Sequence, residues 1–317
     1  MTWTPWKQAW DQALYGESGF YRQPAGPAGH FSTATQGVPQ IGEQLARALL
    51  TLMDRERLHT FVDMGCGRGE LLEQVHLLGP HIHCLGVDIV PRPELGTGIG
   101  WLQSPGGDRL PEGLDDLRDT LVFANEWLDV VPCPIAQVDE NGELHEVLVD
   151  TSTGVEKLGD VVSGSSRQWC ERFWPTDALE SGDRVEIGLS RDRAWDDLVS
   201  RVGSGLAIAV DYGHTIDSRP APGTLTGFRA GRQVLPVPDG SCDLTAHVAM
   251  DSLARDELID QRTALRRLGV SGQIPPQDLA RSSPMAYLRG LSSASAAAAL
   301  SARGGFGDFL WAHKHVR

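Results

Sequence analysis

The sequence predicts an α/β protein, a doubly wound and mostly parallel sheet of the Rossmann-like type, with an N-terminal arm and inserted β and irregular elements. Three observations predict it. Short apolar strands alternate with amphipathic stretches, a glycine-rich turn follows the first strand, and acids stand at the ends of the second, fourth and fifth strands. At 317 residues the chain can hold one large domain with an insertion and bury a sizeable core. The boundaries read as an arm over 1–36 and a ligand-binding domain over 37–317, interrupted by an insertion at about 133–184.

The arm is rich in Gly, Pro and aromatics (Trp3, Trp6, Trp10, Tyr15, Phe20, Tyr21 and Phe31) and is expected to pack irregularly. Val38, Ile41, Leu45, Leu49 and Leu52 recur at helical spacing and predict an amphipathic helix before the first strand. That strand, His59 to Asp63, runs into Met64-Gly65-Cys66-Gly67-Arg68-Gly69-Glu70. A second strand, His81 to Val87, ends on Asp88. Ile99 to Leu102 is a third, and Asp119 to Asn125 a fourth, followed by Glu126-Trp127-Leu128-Asp129-Val130-Val131-Pro132. Ile135 to Val149 predicts a hairpin, because Asn141-Gly142 suits a type I′ turn between alternating strands. Thr151 to Gly182 reads as irregular, with a short helix at Trp169 to Phe173. Ser190 is read as the N-cap of a helix reaching Val202, and Gly205 to Val210 as a fifth buried strand ending in Asp211-Tyr212-Gly213. The last third predicts helices at Ser252 to Leu268 and Ser292 to Arg303 and a closing strand at Phe306 to His315.

Composition excludes several classes. With 42 acidic against 28 basic residues the formal charge is −14, which disfavours nonspecific attraction to nucleic acid or anionic lipid and favours a basic partner. The five cysteines form no Cys-x-x-Cys pair, so neither a zinc site nor a disulfide framework is expected. No apolar run is long enough to cross a bilayer and the first residues lack a secretory core, so a cytoplasmic protein without membrane contact is expected. His81 with His83, and His313 with His315, fall on one face of their strands, but no third ligand clusters with them and no metal is expected.

The glycine turn carries most of the functional signal. Gly65, Gly67 and Gly69 let the backbone turn sharply against a ligand, with helix-start amides behind it. The spacing is Gly-x-Gly-x-Gly, and Glu70 stands where a nicotinamide-binding loop needs its third glycine, which tilts the reading toward S-adenosyl-L-methionine. Asp88, roughly 20 residues on, can accept both ribose hydroxyls, as an acid in a dinucleotide fold also would. Asp63 can hold the ammonium of a methionine moiety. The competing view is a structural turn flanked by ordinary surface acids.

Several separated segments also resemble the MidA-like methyltransferase family, whose mitochondrial members act on a subunit of respiratory complex I during assembly. The segments are Leu14-Tyr15 with Gly19-Phe20-Tyr21, Phe31-Ser32-Thr33 followed by Ile41-Gly42-Glu43, the Asp63 to Gly69 loop, and Asn125-Glu126-Trp127-Leu128-Asp129-Val130-Val131-Pro132. Val185-Glu186-Ile187, Asp211-Tyr212-Gly213, Gly223-Thr224-Leu225 and Asp243-Leu244-Thr245-Ala246-His247-Val248 complete the order. The chain departs from the family at His30, at Asp88-Ile89-Val90-Pro91 and at Ala249-Met250.

The resemblance implies a class I S-adenosyl-L-methionine methyltransferase fold and, from the characterised branch, methylation of arginine in a protein substrate. An arginine acceptor stays charged and needs carboxylates to orient it, which assigns Glu126 first and Asp129 with it, and Asp211 or Glu186 to the substrate. Asn125 is placed with the cofactor. His247 is either a base or a turn-holding ring, and Tyr15, Tyr21 and Phe31 are either a lid or simply core. For Glu126 and Asp129 the plainer alternative is an acid-rich helix N-terminus. Two rival functions stay open: an assembly factor that uses the fold to bind a partner, and a nicotinamide-dependent oxidoreductase.

Overall fold

In the computed structural model, which describes residues 2–23, 40–174 and 179–317, the main sheet has seven strands. They are β1 (Thr60–Met64), β2 (His83–Asp88), β3 (Ile99–Gln103), β4 (Thr120–Asn125), β5 (Gly205–Asp211), β6 (Glu257–Asp260) and β7 (Leu310–Val316). Their order is β3-β2-β1-β4-β5-β7-β6; β7 runs antiparallel to both neighbours and the other pairs in the run from β3 to β5 are parallel. The chain builds outward from β1 to β3, then restarts on the other side of β1 with β4. Between β1 and β4 the direction of winding reverses, and there a crevice opens at the carboxyl ends of the strands.

Successive residues of the central strands enter two different cores. Phe61, Leu121, Phe123, Ile208 and Trp311 join one, while Val62, Val122, Ala124, Ala207, Ala209 and Ala312 join the other. A strand covered on both faces can be apolar throughout, which is why these segments show no polar alternation. The helices in chain order are α1 (Trp6–Tyr15), α2 (Ile41–Glu56), α3 (Glu70–Leu78), α4 (Gly164–Phe173), α5 (Leu189–Ser200), α6 (Gln261–Arg267), α7 (Gln277–Ser282) and α8 (Pro284–Leu300). Leu45, Leu49, Leu72, Leu265 and Leu300, from α2, α3, α6 and α8, cover the first core, and Ala194, Trp195 and Leu198 of α5 cover the second.

The start of the chain is regular where an irregular arm was expected. Trp3–Pro5 is a strand and α1 follows it directly. Pro5 precedes the helix, where its missing N–H costs nothing, and Trp6, Ala9, Trp10, Ala13 and Leu14 repeat at helical spacing onto one buried face. Glycine and proline density had hidden that period. Phe31 and Val38 lie outside the described residues.

The Trp3–Pro5 strand joins Ile135–Val138, Leu144–Asp150, Glu156–Val161 and Arg184–Glu186 in a second, antiparallel sheet. Its hairpin forms, but not around a type I′ turn. The loop spans Asp139 to Glu143, and of Asn141 and Gly142 only Gly142 has positive φ, at 81°. The Asp139 carboxylate shapes this loop by accepting the backbone N–H groups of Asn141 and Glu143, each at 2.8 Å. The stretch after it contains a strand and α4 rather than irregular chain.

Other boundaries also shift. Ser190 is not an N-cap, since α5 starts at Leu189 and the Ser190 hydroxyl donates to the Pro132 carbonyl at 2.6 Å. The helix expected over Ser252 to Leu268 is only α6, because its first half pairs with β7 as β6. The helix expected at Ser292 to Arg303 is α8, which already starts at Pro284. The final strand begins at Leu310, after a turn of 3-10 helix at Phe306–Asp308.

Trp10 has no exposure, and its indole N–H donates to the Leu244 carbonyl at 3.1 Å. Trp10→Ala should therefore destabilise the whole domain by about 3–5 kcal/mol in urea unfolding, in one transition with the main sheet. An arm that is only an appendage would give no change.

Candidate functional site

At the carboxyl end of β1 the chain passes through three left-handed residues, Gly65, Gly67 and Gly69, at φ 70°, 60° and 83°. This conformation favours glycine at each position. The Gly65 N–H donates to the Val87 carbonyl of β2 at 2.8 Å. Asp88, at the end of β2, accepts the Gly67 N–H at 2.8 Å with one carboxylate oxygen and the Val90 N–H at 3.1 Å with the other. Burial pushes Asp88 up to about 6, against the lowering effect of those N–H groups. Each oxygen keeps a second lone pair.

The bend forms one wall of a cavity of about 530 Å³, a volume in the range of small-molecule sites. Asp63, Gly65, Gly67, Asp88, Asn125, Glu126 and Tyr21 all line it. Tyr15, Tyr21, Arg22 and Gln23 close it from the arm, and Gln103 and Ser104 lie beyond β2. Gly69 is not in the lining; it is the N-cap of α3, packed so that a Cβ would come 3.0 Å from Leu95.

Asp63 is 4 % exposed and its carboxylate has no hydrogen-bond partner among the described residues. Burial first, then the charges of Asp88 and Glu70, raise it well above the usual carboxylate range. The Asn125 side-chain oxygen is likewise buried and without a partner, while its amide donates to Glu126 at 3.1 Å. A buried carboxylate without a donor in the cavity wall calls for a ligand bearing N–H groups and positive charge. The ammonium of a methionine moiety has both, and the remaining lone pairs of Asp88 suit ribose hydroxyls.

Glu126 follows β4 in a left-handed conformation, φ 51°, with its N–H donating to the Val210 carbonyl at 2.9 Å. No helix starts here, so the acid-rich helix N-terminus is not what these residues form. The turn is held from two sides. Asp211, 1 % exposed, accepts the N–H groups of Leu128 and Asp129 at 3.0 and 3.2 Å. Arg191, equally buried, donates to the carbonyls of Asp129, Val131 and His247 at 2.8, 3.1 and 2.8 Å. Sequence reasoning missed Arg191, yet it falls in helical register with the apolar Trp195 and Leu198, and a cation on the buried face of a helix was the available signal.

The remaining expected site residues do not line the cavity. Asp129 is buried behind the turn, accepting the Thr245 hydroxyl at 2.7 Å and that of Tyr212. Burial raises both Asp129 and Asp211, and the Asp129 charge raises Asp211 further. Glu186, in the second sheet, accepts the backbone N–H groups of Thr224 and Leu225 at 2.5 and 3.2 Å. His247 is exposed, with its ring 5.2 Å from that of Tyr212. The site therefore gathers the expected cofactor residues other than Gly69, together with Glu126 and Tyr21, and leaves Gly69, Asp129, Asp211, Glu186 and His247 outside.

All five cysteines are buried and free. Among the described residues no helix is long and apolar enough to cross a membrane.

A doubly wound sheet with a glycine bend and two acids at its switch point defines a nucleotide-type binding protein. Its family is specific: residues 85–269 match the model described as "Putative S-adenosyl-L-methionine-dependent methyltransferase", and the chain belongs to that family. The cofactor is accordingly S-adenosyl-L-methionine, and the nicotinamide alternative is set aside. Among solved structures the chain is similar to a COG1565 superfamily member from Burkholderia thailandensis bound to S-adenosyl-homocysteine. The identity is 20 % with a TM-score of 0.75, covering 98 % of this chain and 87 % of that one. A native structure of a COG1565 superfamily protein from the same organism gives 21 % and 0.73, covering 99 % and 87 %. These likenesses establish a shared fold. No curated protein matches the chain.

Donor binding should be pH-dependent in a definite direction. If the ribose hydroxyls use the ionised Asp88, affinity for S-adenosyl-homocysteine is full at neutral pH and falls as the pH drops through about 6. Calorimetry across that range should show the fall in the wild type and, in Asp88→Asn, a weaker affinity from which the step near 6 is missing.

Proposed function

We propose that the protein methylates a protein substrate on an arginine side chain, with Glu126 as the residue that meets the acceptor. The observation that carries this reading is that Glu126 opens into the same cavity as Asp63 and Asp88. The net charge of −14 and the resemblance to the MidA-like family also support it.

When bound, S-adenosyl-L-methionine supplies a methyl group on a positively charged sulfur. Asp63 and Asn125 would hold its ammonium end and Asp88 its ribose. Glu126 would accept N–H bonds from the guanidinium, localise its charge away from the attacking nitrogen and take the proton that nitrogen gives up as its new N–C bond replaces the sulfur–methyl bond and a neutral thioether leaves. Tyr15 and Tyr21 exclude water from the reacting centre. Asp129 and Asp211 serve at one remove: together with Arg191 they hold the turn that aims Glu126.

Labelled methyl transfer into a cell lysate, followed by identification of the modified residue, tests this. Glu126→Gln should lower labelling by roughly a hundredfold or more while leaving S-adenosyl-homocysteine affinity within about threefold. Labelling on a residue other than arginine, or labelling that survives in this variant, overturns the reading.

A further inference from the structure

We propose that Asp243 is a positioning residue for the methyl donor, acting through Tyr21, and that the strand Asp243–Thr245 is a seam joining the cavity roof to the groups behind Glu126. The inference rests on the donor cavity described above.

Each of three consecutive residues makes a different tie. Asp243 accepts the Tyr21 hydroxyl at 2.7 Å, the Leu244 carbonyl accepts the Trp10 indole N–H at 3.1 Å, and the Thr245 hydroxyl donates to Asp129 at 2.7 Å and touches the Tyr212 hydroxyl. Just before the strand, the Gly240 carbonyl accepts the Gln23 amide at 2.7 Å. The seam thus grips the arm at Trp10, Tyr21 and Gln23, and grips the turn after β4 at Asp129.

Asp243 is 4 % exposed, and the Tyr21 hydroxyl is the one side-chain donor it has among the described residues; the Leu244 N–H, at 3.0 Å, shares the same oxygen. A carboxyl group in a three-residue strand costs desolvation that a leucine or threonine there would not, so the Tyr21 bond is the feature its presence explains. Tyr21 and Tyr15 line the cavity together, with ring centroids 5.5 Å apart, and the Tyr15 hydroxyl donates to the Val130 carbonyl at 3.0 Å. Both rings of the roof are therefore pinned at their far ends, Tyr15 to the turn after β4 and Tyr21 to the seam. With Asp243 removed, the Tyr21 ring keeps its packing, including that on Tyr15 and Phe20 of the same arm, but loses the hydrogen bond that fixes its hydroxyl end.

The test is the affinity and dissociation rate of S-adenosyl-homocysteine in the full chain, read by calorimetry and stopped flow, with thermal melting alongside. Tyr21→Phe and Asp243→Ala should each weaken binding roughly three- to tenfold, through faster dissociation. The double variant should be no weaker than either single one, because both remove the same bond. Asp243→Asn keeps an oxygen for the Tyr21 hydroxyl and should restore affinity to within about twofold, a rescue that a loss of packing would not show. Tyr21→Phe removes one hydroxyl only and reads the bond even if Asp243→Ala fails to fold. Unchanged dissociation in Tyr21→Phe, additive losses, or no rescue by Asp243→Asn overturns the inference and leaves the donor cavity standing. A wild type that does not bind S-adenosyl-homocysteine overturns both.

Discussion

The carboxylates at the ends of the strands must find hydrogen-bond donors, and the way they do so builds the site. Asp88 takes the N–H groups of Gly67 and Val90, Asp211 those of Leu128 and Asp129, and Asp129 the hydroxyls of Thr245 and Tyr212. Each of these acids spends its charge on a neighbouring loop and fixes it. Asp63 has no such donor among the described residues, although it is as buried as Asp129. Asp129 and Asp211 each leave one oxygen without a partner among the described residues but anchor a loop with the other; Asp63, which anchors none and lines the cavity, is the acid placed for a ligand.

That arrangement is costly without the donor and self-correcting with it. Burial and like charge hold Asp63 well above its ordinary range, which makes its charged form costly unless a cation lies against it. A cationic ligand relieves this, and its binding free energy adds to the stability of the fold by mass action. Arg191 does the equivalent for the turn after β4. Its guanidinium is spread over three carbonyls rather than paired to one acid, so it rigidifies backbone, and its charge also partly offsets the burial of Asp129 and Asp211.

The arm completes the crevice from outside the sheet. Trp6, Trp10, Ala13 and Leu14 pack in one cluster with Cys133, Ile135, Val147 and Leu244, so the roof is part of the second sheet's core. The insertion and the start of the chain are therefore one structural unit, separated in sequence by the whole first half of the main sheet. In the proposed reaction this unit excludes water, while the main sheet positions the reacting groups.

Much of this was legible in the chain because it depends on local pattern. Apolar runs of strand length, three alternate glycines and acids at strand ends follow from what a doubly covered parallel sheet and a tight turn require. They placed β1 to β5 and the residues Asp63, Gly65, Gly67, Asp88, Asn125 and Glu126. Where punctuation and period conflicted, as in α1, glycine and proline masked a helix whose aromatic spacing was already present. What tertiary structure alone decided is which acids face the crevice and which are consumed as scaffold. Asp129 lies only three residues from Glu126, but the turn is bent by Asp211 and Arg191 from distant segments, and they send the two carboxylates in different directions. Pairings such as Asp211 with Leu128, or Asp243 with Tyr21, join residues 83 and 222 positions apart, and no local period records a contact made by folding at that range.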